Sequence, residues 1–185
     1  MKYFAYGSNM SVARLQARVP SAVRLGCYAL RQHDLRFHKS GLDGSAKCDA
    51  FFTGNDTDTL FGVLYEIEAA EKPALDRIEG LGRGYDEKII TVYGGNGSVE
   101  TATTYFANVI DKAMSPYDWY LQHVLVGALE TELPWEYVQA RIKTVVPMED
   151  PDTARDRGER AIYAEQACQG TPELAVAQSI PSIDP

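Results

Sequence analysis

The stretch Lys88-Ile89-Ile90-Thr91-Val92-Tyr93-Gly94-Gly95-Asn96-Gly97-Ser98-Val99-Glu100-Thr101-Ala102-Thr103-Thr104-Tyr105-Phe106-Ala107 decides the fold class. Residues 88–93 and 99–107 are rich in β-branched and aromatic side chains, which pack well on a pleated surface. The Gly94-Gly95-Asn96-Gly97 segment between them readily adopts the positive φ values of a tight turn, so the two runs are predicted to pair as an antiparallel hairpin. Working outward, residues 50–52 and 60–67 flank Gly54-Asn55-Asp56-Thr57-Asp58 and read as a second hairpin. Residues 22–39 form an apolar and aromatic run broken near Arg31-Gln32, hence two more strands, and residues 3–6 add another.

Helical patterns interrupt this series irregularly. Val12, Leu15 and Val19 recur at helical spacing before Pro20, with Asn9 or Ser11 available as cap. Residues 69–79 carry Pro73 in the first turn and Gly80 as C-terminal cap, with Ala74, Leu75, Ile78 and Leu81 on one face. Ser115-Pro116-Tyr117-Asp118 announces a third helix, capped by serine with proline at its first position, and residues 134–145 make a fourth. Strands that do not alternate with helices argue against a doubly wound parallel sheet. The expected fold is α+β, a small, mostly antiparallel β-barrel or sheet with flanking helices. Residues 40–47 are turn-rich and read as a mobile surface loop. Past Pro147 the composition shifts to charge, Pro, Gly and Ser. A domain of residues 1–147 is therefore expected to carry a partly flexible extension, 148–185, in which Ile162 and Tyr163 pack as a short arm and residues 172–185 trail as a tail.

Composition narrows the functions. A chain of 185 residues with 45% hydrophobic and 24% charged side chains suits one globular domain. A formal charge of −8 comes with no basic cluster for nucleic-acid phosphates. Cys27, Cys48 and Cys168 are odd in number and lack metal spacing, and the histidines form no zinc constellation, so free thiols and no metal are expected. No apolar run reaches the roughly 18 residues of a membrane span. The expectation is a soluble, cytoplasmic protein without a nucleic-acid or membrane partner.

Two features carry potential chemistry. Tyr3-Phe4-Ala5-Tyr6-Gly7-Ser8-Asn9-Met10 is an apolar strand stopped by glycine and followed by a helical pattern. A strand, a turn and a helix start bring several backbone N–H groups together, an arrangement that binds carboxylates or oxyanions, and Gly7 is expected at positive φ. A plain strand-to-helix turn has the same spacing. Glu79 borders the apolar face of its helix just before the capping Gly80; partial desolvation there raises a carboxyl pKa and suits it to accept a proton from an amine. Most helix-end glutamates, however, are simply surface charge. Tyr85, Tyr105 and Tyr120 have hydroxyls that could line a pocket, although core packing is the commoner use of such residues. No G-x-x-x-x-G-K-[ST] or G-x-S-x-G motif is present.

Taken jointly, these residues resemble the gamma-glutamylcyclotransferases. The resemblance rests on the stretch from Tyr3 to Met10, on Leu75-Asp76-Arg77-Ile78-Glu79-Gly80 followed by Tyr85, and on Thr104-Tyr105-Phe106. It continues through Ser115-Pro116 leading to Tyr120, Gly127-Ala128, and Leu133-Pro134 with Tyr137. It spans about residues 2–146, in order, and leaves out the segment after Pro147. It implies a barrel-centred fold and intramolecular aminolysis. The free α-amine of a γ-glutamyl group attacks its own γ-carbonyl, releasing 5-oxoproline and an amino acid or amine, without metal or cofactor. The resemblance assigns Glu79 as general acid and base, Tyr6, Gly7, Ser8 and Asn9 as the loop that holds the glutamyl moiety, and Tyr85, Tyr105 and Tyr120 as pocket tyrosines. A γ-glutamylamine or biosynthetic-intermediate cyclotransferase, or a non-catalytic γ-glutamyl-binding module, would share the scaffold. Asn9 sets the chain apart from the glutathione-specific branch, which has leucine there. The implied partner is a small γ-glutamyl compound, and pairing into a homodimer stays open.

Overall fold

The structure, a computed structural model, describes residues 1–163. Five strands close a barrel: β1 (Lys2–Ala5), β2 (Val23–Arg31), β5 (Thr59–Glu66), β6 (Tyr85–Gly94) and β7 (Val99–Ala107), in the order β1-β5-β2-β6-β7. All neighbours run antiparallel except β1 and β7, which close the barrel in parallel at Tyr3 opposite Thr103. The remaining strands, β3 (His33–Ser40) and β4 (Ala46–Phe52), make a separate two-stranded sheet. The hairpin predicted around Gly94 is present: β6 and β7 pair from Tyr85 opposite Ala107 to Tyr93 opposite Val99. Its turn is closed by the Gly94 N–H donating to the Ser98 carbonyl at 2.8 Å, with Gly97 at φ 84°. The break near Arg31-Gln32 is also real, because Gln32 sits at φ 61° between β2 and β3.

The second expected hairpin is not formed. β4 pairs only with β3, whereas β5 lies between β1 and β2 in the barrel. The turn-forming segment after Thr53 therefore carries the chain from one sheet to the other, and Gln32 ties it down: its N–H donates to the Asp58 carbonyl and its carbonyl accepts from Thr53 N–H. Residues 41–45 make a pinned turn. Asp43 accepts hydrogen bonds from the Ser45 N–H and hydroxyl, and its carboxylate pairs with Lys47 at 2.7 Å.

Five helices surround the barrel: α1 (Val12–Gln16), α2 (Lys72–Glu79), α3 (Asp118–Glu130), α4 (Trp135–Arg141) and α5 (Thr153–Ala161). α2 follows a 3₁₀ turn over Ala69–Glu71, has proline in its first turn and ends on Gly80 at φ 72°. Its anchor is Leu75, fully buried, which contributes about 1.5–3 kcal/mol by leaving water. Ile78 and Leu81 stay 45% and 36% exposed rather than joining the core, since so short a helix covers the barrel with one turn only. The expected serine cap of α3 is displaced as well. The helix begins after Tyr117, and the Ser115 and Pro116 carbonyls instead accept from Ala46 and Met148 N–H groups, at 2.9 Å each. In the middle of α3, Gly127 allows a close approach. A Cβ there would lie 2.3 Å from the backbone of Met10 and Ser11, so this helix presses directly on the loop after β1.

Past Pro147 the chain returns to the domain. Asp150 accepts from the Trp119 indole at 2.7 Å and pairs with Arg155, and Asp152 caps α5 through the N–H groups of Ala154 and Arg155. Arg14 pairs with Glu159, and His123 meets the Tyr163 hydroxyl at 2.5 Å, so the expected packing of Ile162 and Tyr163 is seen against Ala13 and Val126. The expected tail over residues 172–185, and Cys168, lie outside the described residues.

Candidate active site

Gly7 lies two residues past the end of β1, and the loop turns there into a 3₁₀ segment, Ser8–Met10, before α1. Its φ is −115°, not the expected positive value. The reason for glycine is steric: a Cβ at this position would lie 3.0 Å from the Cys48 Cβ and 3.2 Å from the Tyr120 hydroxyl. A 3₁₀ turn and the five-residue α1 follow the loop, so the helix expected before Pro20 is present and short. The loop is held rigid from below by the Tyr65 hydroxyl donating to the Met10 carbonyl at 2.7 Å.

Above this loop lies a small cavity. All the residues expected at the site face it: Tyr6, Gly7, Ser8, Asn9, Glu79, Tyr85, Tyr105 and Tyr120. Tyr3 and Cys48 complete the lining and were missed by sequence reasoning. Tyr3 is visible only as an alternate position of β1, and Cys48 comes from a sheet whose placement over the barrel has no local signal.

Glu79 is the sole carboxylate among the described residues lining this cavity, with its side chain 16% exposed. The side-chain amide of Asn9 donates to Glu79 Oε1 at 2.7 Å and to the Tyr3 hydroxyl at 3.1 Å, while the Asn9 carbonyl oxygen accepts from Arg18 at 2.8 Å. Arg18 also stands 3.8 Å from Glu79. Asn9 thus has one arm on the acid, one on a tyrosine and one on a cation, and it fixes the rotamer of Glu79.

The tyrosines are locked by backbone. Tyr6 donates to the Tyr105 carbonyl at 2.7 Å and Tyr85 to the Cys48 carbonyl at 2.5 Å; Tyr105 donates to Asp76 at 2.7 Å. Tyr120 differs, since its oxygen accepts from the Cys48 N–H at 3.0 Å and its hydroxyl also bonds the Cys48 thiol, so one residue holds it through both backbone and side chain. Burial pushes the phenols of Tyr3, Tyr6, Tyr85, Tyr105 and Tyr120 well above their usual range, and the Cys48 thiol up to about 12. At neutral pH every hydroxyl and thiol in the cavity therefore keeps its proton and acts as a donor. No group of three or more His, Cys, Asp or Glu among the described residues is arranged to hold a metal ion. No helix among them is long and apolar enough to cross a membrane.

Comparison with known proteins places this geometry. The sequence profile of the AIG2-like family matches residues 59–140. Gamma-glutamylcyclotransferase of Mus musculus is 30% identical over 154 residues, covering 80% of this chain and 79% of that protein. This chain belongs to the gamma-glutamylcyclotransferase family. The Homo sapiens gamma-glutamylcyclotransferase is 30% identical over 149 residues, 78% of each chain. A solved gamma-glutamyl cyclotransferase superposes with a TM-score of 0.79 at 25% identity, covering 89% of this chain and 98% of its own. The α+β barrel is the fold of this family, and family membership makes the chain an enzyme of this type.

Proposed function

We propose that this chain is a gamma-glutamylcyclotransferase that closes a γ-glutamyl group on itself, releasing 5-oxoproline and the amine once joined to it. The observation that carries the reading is Glu79, a lone carboxylate held by Asn9 in a cavity whose other titratable groups are protonated phenols and a thiol. Such a cavity contains one group able to take a proton and several able to donate hydrogen bonds.

The chemistry follows from those roles. A γ-glutamyl substrate enters with its α-amine protonated, so Glu79 first accepts a proton and the neutral amine attacks the γ-carbonyl carbon. Holding amine and carbonyl in one small cavity replaces chain flexibility with a high effective concentration. The carbonyl oxygen becomes an oxyanion, to which, in this reading, the Tyr120 hydroxyl and loop N–H groups donate. As the tetrahedral centre collapses, Glu79 returns its proton to the departing nitrogen and then relays to it the second proton of the former α-amine, so the amine leaves as ammonium and the ring keeps one N–H. One C–N bond forms and one breaks, with no change in oxidation state and no outside reactant. The free thiols of Cys27 and Cys48 suit a reducing, cytoplasmic setting.

The decisive test offers the purified protein γ-glutamyl-alanine, γ-glutamyl-glutamate, γ-glutamyl-ethylamine and glutathione, with 5-oxoproline measured by mass spectrometry. Product from at least one, abolished in Glu79→Gln, is the expected outcome. No product from any, or full activity in Glu79→Gln, overturns the reading.

A further inference from the structure

A second, outer cavity of about 300 Å³ adjoins the first, and the two share Ser8, Glu79, Tyr85 and Tyr120 as a common wall. The outer cavity is lined by Arg14, Arg18, Lys39, Lys47, Arg77 and Arg83, against only two carboxylates, Asp43 and Glu79. In a chain of formal charge −8, so many cations at one mouth make it a local reversal of sign. Three of the six are already neutralised: Arg14 by Glu159, Lys47 by Asp43, and Arg18 in part by Glu79.

The other three are not. Arg77 and Arg83 are exposed at the rim and have no ion pair among the described residues. Lys39 is the more telling case. It is only 7% exposed, yet its ammonium has no hydrogen bond or ion pair among the described residues; it rests 4.7 Å from the centroid of the Tyr85 ring and lines the cavity. The register of β3 on β4 slips between Phe37 and Lys39, and His38 and Lys39 are consecutively buried as a result. Gly84 leaves room for the ammonium: a Cβ there, at φ 148°, would lie 2.8 Å from Lys39 Nζ. A buried, unpaired cation costs free energy unless something anionic completes it.

We infer that the outer cavity is the leaving-group subsite and that it takes an amino acid with two carboxylates, one on Lys39 and the other on Arg77 and Arg83. The inference rests on the cyclotransferase reading, which puts the scissile bond at Glu79 on the shared wall. The glutamyl half then fills the inner cavity and the leaving group must occupy the outer one. The carboxylate nearest the scissile nitrogen reaches the buried Lys39 beside Tyr85, and a side-chain carboxylate extends to the rim arginines. Lys39 and the arginines are specificity residues and take no part in the proton transfers.

Three peptides separate the steps: γ-glutamyl-ethylamine, γ-glutamyl-glutamine and γ-glutamyl-glutamate have zero, one and two carboxylates on the leaving group. Their affinities are measured by calorimetry on Glu79→Gln, in which the substrates persist, while turnover of γ-glutamyl-alanine by the unaltered protein reads the cyclotransferase activity separately. Each added carboxylate is expected to tighten binding about ten-fold, the scale of one charge-assisted hydrogen-bonded pair. Adding Lys39→Met should remove the first step and Arg77→Gln with Arg83→Gln the second; the arginine changes are at exposed positions and do not test folding. Equal affinity for all three peptides, or steps that survive their substitutions, overturns the subsite even if 5-oxoproline is produced. A binding ladder without turnover of γ-glutamyl-alanine would instead overturn the activity, and with it the assignment of these carboxylates to a leaving group.

Discussion

The two cavities that meet at Glu79 solve opposite problems with the same wall. The inner one is small and built from neutral donors, with each tyrosine tied to backbone or to a neighbouring carboxylate. The outer one is larger and built from charge, with three cations that form no ion pair among the described residues. Neutral, fixed dipoles suit a place where charge develops during reaction, because they need no rearrangement at that moment. Unpaired charge at a wide mouth suits capture, since its field extends into solvent and falls off with salt. The difference teaches that chemistry and selection are separated here by about one side chain, and substitutions can address them one at a time.

The largest effect is expected from Glu79→Gln, which keeps the Asn9 contact and removes the only base of the inner cavity. kcat should fall by roughly 10²–10⁴-fold with KM little altered, measured by 5-oxoproline release. Tyr120→Phe comes next: it deletes the inner hydroxyl proposed to donate to the oxyanion, and kcat should fall by about 10²-fold. An unchanged rate would move oxyanion stabilisation wholly to the loop. Gly7→Val drives a side chain into Cys48 and Tyr120, at about 1–3 kcal/mol of overpacking, and should shrink the inner cavity and raise KM while leaving the outer charges in place. Normal kinetics in that variant would mean that the loop and Cys48 part easily.

The smallest effect concerns the outer cavity alone. His123 is fully enclosed between Arg14, Glu159 and Tyr163, with Arg18 nearby, and burial lowers its pKa from 6.5 to about 4. Its folded form resists protonation, so the unfolded chain binds more protons between these values and stability is lost as pH falls through that window. The Glu159 carboxyl, lowered from 4.5 to about 2, loses its contribution over a still more acid range. From pH 7 to pH 5 the His123 contribution should weaken by roughly 2 kcal/mol, seen as a drop in melting temperature that His123→Gln attenuates. Because Glu159 holds Arg14, loosening of α5 would disturb the outer lining before the inner one.

Much of the site was legible in the chain because its residues sit at the ends of elements with strong local signals. Glu79 precedes a glycine that must adopt φ 72°, Tyr85 opens the hairpin strand, and the Tyr6 to Asn9 loop follows an apolar strand. Cys48 and Lys39 were silent. Their importance comes from how the β3–β4 sheet lies over the barrel mouth, and a strand says nothing by itself about which surface it will cover. The hairpin expected between β4 and β5 failed for the same reason: good turn chemistry fixes a reversal of direction, while partner choice is settled by long-range pairing of β5 with β1 and β2.

The sequence by itself therefore determined most of the elements, though not α5 or the start of β4, together with the α+β class and the group of residues at the site, since φ preferences and hydrophobic periodicity act over a few residues. Only the tertiary structure decided why Gly7 is glycine, that Asn9 holds Glu79, and that an unpaired Lys39 shares a wall with the acid. Those facts are contacts between residues far apart in the sequence, and burial and pairing at that range exist only once the barrel has closed.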